Sequence, residues 1–138
     1  MTKTAIMFSE RRNISLEQIL AIYSANEWSA AQKPHRLHQA LLNSHTLFSA
    51  WDDERLVGIG NAISDGFLVV YYPHLLVHPK YQGQGIGRRL LAMLKQRYEG
   101  FHMHMLVADR ESVAFYEKCG FTRAGNTEPM WIYDGDDH

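Results

Sequence analysis

The segment Gln82-Gly83-Gln84-Gly85-Ile86-Gly87 separates a long apolar run from a strongly helical stretch, and it decides how the chain is interpreted. A helix presents unpaired N–H groups and a partial positive charge at its first turn. Glycines let the backbone approach a ligand without a Cβ clash. The segment therefore predicts a backbone cradle for an anion such as a pyrophosphate, with Arg88 and Arg89 at its rim. A tight turn at a helix start is the simpler alternative for a short glycine-rich loop.

The residues on either side of this segment have the pattern of a β-α-β unit. Residues 67–77 are apolar with little alternation, which predicts a long strand buried on both faces. Residues 86–98 predict a helix that ends at Gly100, and residues 101–107 predict a second strand. The crossover should be right-handed and the two strands parallel.

The other predicted elements flank this unit. They are, in chain order, a strand over 4–8, a helix from 16 to about 26, a helix beginning at Pro34, strands over 45–51 and 55–63, a short helix over 111–118 and a final strand over 130–133. Ser15 and Gln18 have the spacing of a capping box before the first helix. An antiparallel hairpin followed by a parallel unit predicts an α/β fold, with a mixed sheet and helices on both sides.

Length and charge narrow the class of protein. The 138 residues suit one domain over 1–133, followed by a polar tail over 134–138. The formal net charge of -1, with no basic block, argues against nucleic acid as the main partner. No apolar run approaches the ~20 residues of a membrane span, and the first ten residues lack a secretory signal. A single cysteine, Cys119, fits a reducing compartment, so a cytoplasmic location is expected.

Two familiar phosphate-binding motifs do not fit the glycine-rich segment. A nucleoside-triphosphate loop needs a lysine and a hydroxyl residue after its last glycine, and neither is present. A dinucleotide fingerprint needs its third glycine one place later than Gly87. Asp109 does have the spacing of that fingerprint's acidic residue, but the segment comes late in a short chain with one β-α-β unit. Both motifs are therefore excluded.

The segment from Gln82 to Gly87 matches the Q/R-x-x-G-x-G/A signature of the GNAT superfamily of acyl-CoA-dependent N-acyltransferases. The preceding residues 75–79 (LLVHP) resemble the strand that leads into it, and residues 112–121 (SVAFYEKCGF) resemble the second motif of the family. The chain is most similar to small bacterial and plastid-type members. The resemblance implies a GNAT-like fold with about six to seven strands and about four helices. It also implies acetyl-CoA as co-substrate, a primary amine as acceptor, and a possible homodimer.

The resemblance also implies roles for individual residues. The pyrophosphate would be held by backbone amides of about 83–88, the pantetheine arm would run along 75–77, and the Val77 N–H would face the oxyanion. The residues that it assigns to the cofactor are Leu75, Leu76, Val77, Gln82, Gly83, Gln84, Gly85, Ile86, Gly87, Arg88, Asp109 and Tyr116. Tyr116 matches the general acid that protonates the leaving thiolate. Asp109 stands where relatives contact the cofactor, although N-capping of the next helix is the preferred interpretation.

The general base is harder to assign, because no acidic residue occurs in 67–77 or 101–107. His74 and His104 occur there instead, and His74 is the preferred candidate, since histidine can accept a proton near neutral pH. A site without a base, which receives the amine already neutral, is the alternative. His35 and His38, like His102 and His104, lack cysteine or carboxylate partners, so no metal site is predicted. Cys119 is assigned to packing.

The acceptor is not identified by the sequence. Aromatic residues supply surface for it, although most of them are expected in the core: Trp28, Trp51, Phe67, Tyr71, Tyr72, Trp131 and Tyr133. Asp65 or Glu27 could attract a cation. An arylalkylamine, a polyamine, an antibiotic amine, a protein lysine and an N-terminus all remain open. A non-catalytic acetyl-CoA-binding module is the alternative function.

Overall fold

A mixed sheet of six strands forms the centre of the structure, a computed structural model that describes residues 5–135. The strands are β1 (Ile6–Ser9), β2 (Thr46–Asp52), β3 (Arg55–Ser64), β4 (Val69–Tyr71), β5 (Leu75–Val77) and β6 (Met103–Met105). The helices are α1 (Leu16–Ala25), α2 (Pro34–Leu42), α3 (Ile86–Arg97) and α4 (Val113–Lys118). The sheet order is β1-β2-β3-β4-β6, with β5 paired to β3. The predicted α/β fold is confirmed.

The N-terminal half follows the sequence prediction closely. β2 and β3 form the expected antiparallel hairpin. Ser15 caps α1 by accepting a hydrogen bond from the Gln18 N–H at 3.2 Å. The Gln18 side chain does not complete the predicted capping box, however, because it bonds to the hairpin instead, at Glu54 O (2.7 Å) and Leu56 N (3.2 Å). The predicted first strand lies at Ile6–Ser9, and residue 4 is outside the described residues.

The predicted long strand over 67–77 is wrong. It is divided into β4 and β5 by residues 72–74, where Pro73 has no N–H for a strand ladder. Its first residues are also outside the sheet: the Asp65 carboxylate accepts hydrogen bonds from the N–H groups of Phe67 (2.9 Å) and Leu68 (2.8 Å). Phe67 is accordingly 88% exposed, and the expected burial on both faces does not occur there.

The division of this strand determines how the sheet opens. β4 runs parallel to β6, with Val70 opposite His104, so the predicted β-α-β unit is confirmed. The Tyr72 N–H still donates to Met105 O at 2.9 Å. Beyond that bond β5 pairs only with β3, within the part of the chain that the structure describes. The two strands that flank α3 therefore diverge.

Apolar side chains pack on both faces of the sheet. The core beneath α1 and α2 includes Ile19, Ile22, Tyr23, Leu37, Leu41, Ile59 and Leu76. The core beneath α3 includes Val57, Ala62, Val70, Tyr72, Leu90, Leu94 and Tyr98. Two glycines of β3 let α3 approach closely: a Cβ on Gly58 would lie 2.9 Å from Ile86 Cγ2, and one on Gly60 3.1 Å from Leu94 Cδ1. This contact holds the start of α3 against the sheet.

The chain end differs from prediction, because residues 121–135 form neither a helix nor a strand. The expected strand over 130–133 is wrong. Contacts with the α1–α2 connection hold this segment instead: Tyr133 OH lies 3.0 Å from Ser29 Oγ, and Lys33 Nζ lies 2.6 Å from the Asp134 carboxylate. Of the predicted tail, residues 136–138 are outside the described residues. Over 5–135, no helix has the length and apolar character needed to cross a membrane.

Candidate active site

An open strand edge forms where β5 leaves β6. On its other side β5 is bonded to β3: Asn61 N–H donates to His74 O at 3.1 Å, and His78 N–H donates to Val57 O at 2.8 Å. Successive residues of a strand direct their backbone groups to opposite sides. The N–H groups of Leu75 and Val77 therefore point into the gap between β5 and β6. This edge has the geometry that the predicted pantetheine contact requires.

The Asn61 side chain supplies hydrogen bonds at the point where β4 and β5 are divided. Its side chain is 4% exposed. Its Oδ1 accepts from the His74 N–H at 3.1 Å, and its Nδ2 donates to Ser44 Oγ at 2.9 Å. Sequence reasoning missed this residue, although a lone amide inside the apolar stretch 55–63 was an available signal. Asn61 fixes the backbone from which β5 begins.

Two amide side chains hold the other end of β5. Val77 O accepts from Asn26 Nδ2 at 3.2 Å and from Gln82 Nε2 at 3.0 Å. Gln82 was predicted to contact the cofactor, and its side chain contacts Val77 O of β5 and Asn26 Oδ1 (3.4 Å). Asn26, at the C-terminus of α1, was not predicted to take part in the site. Together they connect the glycine-rich segment to the end of the strand.

The glycine-rich segment turns into α3 through two left-handed residues, Gly83 (φ 82°) and Gly85 (φ 84°). A Cβ at either position would meet nothing within 4 Å, so this face of the turn is open. The first backbone bond of the helix is Arg89 N–H to Gly85 O at 3.0 Å. The N–H groups of 86–88 precede that bond and have no helical acceptor. These residues fit a phosphate group, which a helix start of this kind binds well.

Gly87 has a different role from the other two glycines. A Cβ there would lie 3.4 Å from Val77 Cγ2 and 3.8 Å from Phe115 Cζ. The first turn of α3, the end of β5 and α4 therefore meet at this residue. Of the two predicted rim arginines, Arg88 is exposed, but the Arg89 guanidinium lies 5.1 Å from the centre of the Phe8 ring. The Arg89 guanidinium is thus directed toward β1.

Tyr116 lies half-buried on α4, with its ring edge-on to Phe121 at 6.1 Å. Burial is the main cause that raises its pKa to about 12, and the Asp109 charge adds to the effect. The phenol therefore keeps its proton throughout the physiological range. No hydrogen-bond partner for its hydroxyl occurs among residues 5–135. The hydroxyl is therefore protonated and available to a ligand.

The predicted capping role of the Asp109 side chain is wrong. Asp109 precedes a 3-10 turn, Arg110–Ser112, and its carboxylate makes no capping hydrogen bond. A backbone bond closes this turn instead: Ser112 N–H donates to Asp109 O at 2.9 Å. Its assignment to the cofactor stays a prediction.

The two candidate bases are both held by buried tyrosines. His74 Nδ1 lies 2.7 Å from Tyr23 OH, and His104 Nδ1 lies 2.7 Å from Tyr72 OH. Burial lowers the pKa of His74 to about 4, so its ring is neutral at physiological pH. Burial also lowers the pKa of His104. The predicted base role of His74 stays a prediction.

Aromatic rings surround His74 on the α1 side of β5. The Trp28 ring packs edge-on against it at 5.1 Å. The next residue, Ser29, contacts Tyr133, whose ring is stacked on Trp131 at 4.3 Å. Other predicted acceptor contacts lie elsewhere: Trp51 and Tyr72 are in the core, and Asp65 is bonded to its own turn. Within the described range, no three metal-ligating side chains lie close enough to bind an ion.

Strands that diverge beside an open backbone cradle, with a protonated tyrosine on α4, are the arrangement expected of an acyl-group transferase. A family model described as "Acetyltransferase (GNAT) domain" matches residues 10–130, and the chain therefore belongs to the GNAT family of acetyltransferases. The family uses acetyl-CoA as its co-substrate. The predicted family and enzyme class are confirmed.

Similar proteins extend over most of the chain. An N-acetyltransferase "ycf52-like" of Prochlorococcus marinus is 27% identical over 91% of this chain and 73% of its own length. A histone acetyltransferase of Glycine max is 30% identical over 84% of this chain, which spans only 55% of that relative. A solved GNAT-family acetyltransferase of Streptococcus pneumoniae has a TM-score of 0.81, with 29% identity, over 94% of this chain and 98% of that one.

Proposed function

We propose that this protein transfers the acetyl group of acetyl-CoA to a primary amine by direct attack in a ternary complex. The observation that carries the proposal is the divergence of β5 from β6, which leaves the Leu75 and Val77 N–H groups exposed beside the cradle. A pantetheine arm carries amides that can pair with such a strand edge. The adjacent helix start suits the diphosphate at the other end of the same cofactor.

The proposed chemistry uses two groups, the Val77 N–H and the Tyr116 hydroxyl. As the amine nitrogen attacks the thioester carbon, the carbonyl oxygen gains negative charge that the Val77 N–H stabilises. The C–S bond then breaks, and Tyr116 gives its proton to the departing sulfur. The attacking nitrogen loses a proton, which returns through water to the Tyr116 phenolate. The products are an amide and CoA thiol, and the enzyme returns to its starting state.

The acceptor enters on the α1 side of β5 in this proposal. His74, Trp28 and the Ser29–Tyr133 contact would line its path. The side chains named for this path include no carboxylate to pair with an ammonium, which favours an amine that arrives uncharged. This supports the predicted alternative of a site that receives the free amine.

A non-catalytic acetyl-CoA-binding module is the second candidate. One observation favours it: residues 67–77 and 101–107 contain no carboxylate that would act as a base. Such a module would bind acetyl-CoA through the same cradle and would release no CoA thiol in the presence of amines.

The test is CoA release from acetyl-CoA with a panel of an arylalkylamine, a polyamine and a lysine peptide. We expect turnover with at least one of them. Tyr116→Phe should lower kcat by about a hundredfold, the usual range for losing a general acid, while the affinity for acetyl-CoA stays within about twofold. The matched control is Tyr98→Phe, which removes a buried tyrosine hydroxyl that contacts His45 and Thr46 outside the site. Binding without turnover by the wild type would select the module; an unchanged Tyr116→Phe rate would exclude the acid role.

The cytoplasmic location and the homodimer are proposals as well. Cys119 is a free, partly buried thiol, which is consistent with a reducing compartment. Size-exclusion chromatography with light scattering would decide the oligomeric state.

A further inference from the structure

The contact between Tyr23 and His74 defines where the histidine carries its proton. Tyr23 is fully buried, and its hydroxyl lies 2.7 Å from His74 Nδ1. No other hydrogen-bond partner for this hydroxyl occurs among the described residues. The phenol is protonated at all ordinary pH values, because burial raises its pKa further above the usual value.

A buried O–H group without a hydrogen-bond acceptor destabilises the folded state. The ratio of folded to unfolded protein falls by about tenfold to a hundredfold. Among residues 5–135, only Nδ1 is available to accept the Tyr23 proton. If Nδ1 carried a hydrogen, it would point at the phenol oxygen, and the phenol proton would have no acceptor. Nδ1 must therefore be unprotonated, and the proton of the neutral ring must be on Nε2.

We propose that Tyr23 locks His74 in the tautomer with its proton on Nε2, so that His74 donates a hydrogen bond to an oxygen of the bound substrates instead of accepting a proton from the amine. Tyr23 is then a positioning residue that acts through His74.

The surroundings of His74 support this assignment. Its backbone N–H is held by the buried Asn61 side chain, and its ring packs edge-on against both Tyr23 (5.4 Å) and Trp28 (5.1 Å). The backbone of His74 is therefore held by Asn61, and its ring is held by Tyr23 and Trp28. Nε2 has no hydrogen-bond partner among residues 5–135, which leaves its N–H available to a ligand. Leu75, the next residue, begins the open edge of β5.

The tautomer is tested directly by nitrogen-15 NMR of histidine-labelled protein, and this test does not depend on the proposed function. The His74 signals are identified by their absence in His74→Gln. At pH values well above the His74 pKa of about 4, we expect a pyridine-type Nδ1 and a pyrrole-type Nε2. The opposite pattern, with a pyrrole-type Nδ1, would overturn the proposal and restore the base role.

Tyr23→Phe keeps the ring that packs on Trp28 and removes only the donor. We expect both His74 tautomers in this variant. Tyr98→Phe is the matched control, because Tyr98 is another buried tyrosine whose hydroxyl contacts a histidine, His45, at 2.6 Å outside the site. It should leave the His74 signals unchanged. A single Nε2–H tautomer in Tyr23→Phe would show that Tyr23 does not set it.

The role in acetyl transfer rests on the proposed function and is tested separately. His74→Gln keeps a donor N–H that does not titrate, whereas His74→Leu removes it. With an acceptor amine from the panel, we expect kcat/KM to fall about tenfold in His74→Leu and to be largely restored in His74→Gln, with a pH profile like that of the wild type. Equal losses in both variants, deepest at low pH, would contradict the donor role.

Discussion

The Gln82 side chain donates a hydrogen bond to the carbonyl of Val77 over 3.0 Å and so connects the glycine-rich segment to the last residue of β5. The same carbonyl accepts from Asn26 at the end of α1. We assign the cradle and the strand edge to opposite ends of the cofactor. The Gln82 side chain thus holds these two regions at a fixed separation.

Gln82→Ala removes this connection, and we expect weaker acetyl-CoA binding. A net hydrogen bond contributes about 0.5–1.5 kcal/mol, so Kd should rise by about twofold to tenfold in isothermal titration calorimetry. The control is Gln96→Ala, at an exposed position near the other end of α3, which should bind acetyl-CoA like the wild type. Equal affinities of both variants would mean that Val77 and the cradle are aligned without Gln82.

Gly85→Ala tests the left-handed turn before α3. At φ 84° a non-glycine residue costs about 1–2 kcal/mol, and the new Cβ would also project into the open face of the cradle. Gly100→Ala introduces the same strain at φ 88°, beyond the far end of α3. Urea unfolding should show similar destabilisation of both variants, whereas only Gly85→Ala should lose affinity for acetyl-CoA. An equal loss of affinity in both would assign the effect to general strain.

Asn61→Ala should destabilise the fold by about 2–3 kcal/mol, because it leaves the His74 N–H without its acceptor and removes the donor to Ser44 Oγ, which keeps only its own bond to Ala40 O. Asn43→Ala is the control: its exposed amide bonds to Gln39 O within α2, and its loss should cost less than about 1 kcal/mol. Chemical denaturation measures both. A similar small cost for Asn61→Ala would show that the division between β4 and β5 does not need this side chain.

The acid stability of the protein should depend on His74. Its pKa is lowered from 6.5 to about 4 in the fold by burial, so below pH 6.5 the unfolded chain binds more protons than the folded one. Stability therefore falls as pH decreases from about 6.5 to about 4, by up to roughly 2–3 kcal/mol.

His74→Gln should remove this part of the pH dependence, since the amide does not titrate. The exposed His35 on α2 provides the control, because His35→Gln should keep the acid loss of the wild type. Urea unfolding at a series of pH values distinguishes the two. If the stability of His74→Gln still decreases with falling pH as in the wild type, His74 is not the group responsible for the acid loss.

Local sequence patterns were sufficient for much of the fold. Ser15, Pro34 and Gly85 mark helix starts through backbone chemistry that acts within a few residues, and α1, α2 and α3 begin where these residues predicted. The hairpin β2–β3 was predicted for the same reason. The long strand over 67–77 was not, because its composition is apolar throughout, whereas a single proline and the amide of Asn61 decide where it divides.

The sequence by itself determined that a glycine-rich turn opens a helix after an apolar strand, and that a tyrosine follows on a later helix, because these features depend on neighbouring residues. Only the tertiary structure decided what completes the site. Asn26 reaches Val77, and Tyr23 reaches His74, each across 51 residues. Contacts of that kind depend on the register of β3 with β5 and on how α1 packs over them, and no short segment encodes either. The proton position on His74 is therefore a property of the folded molecule.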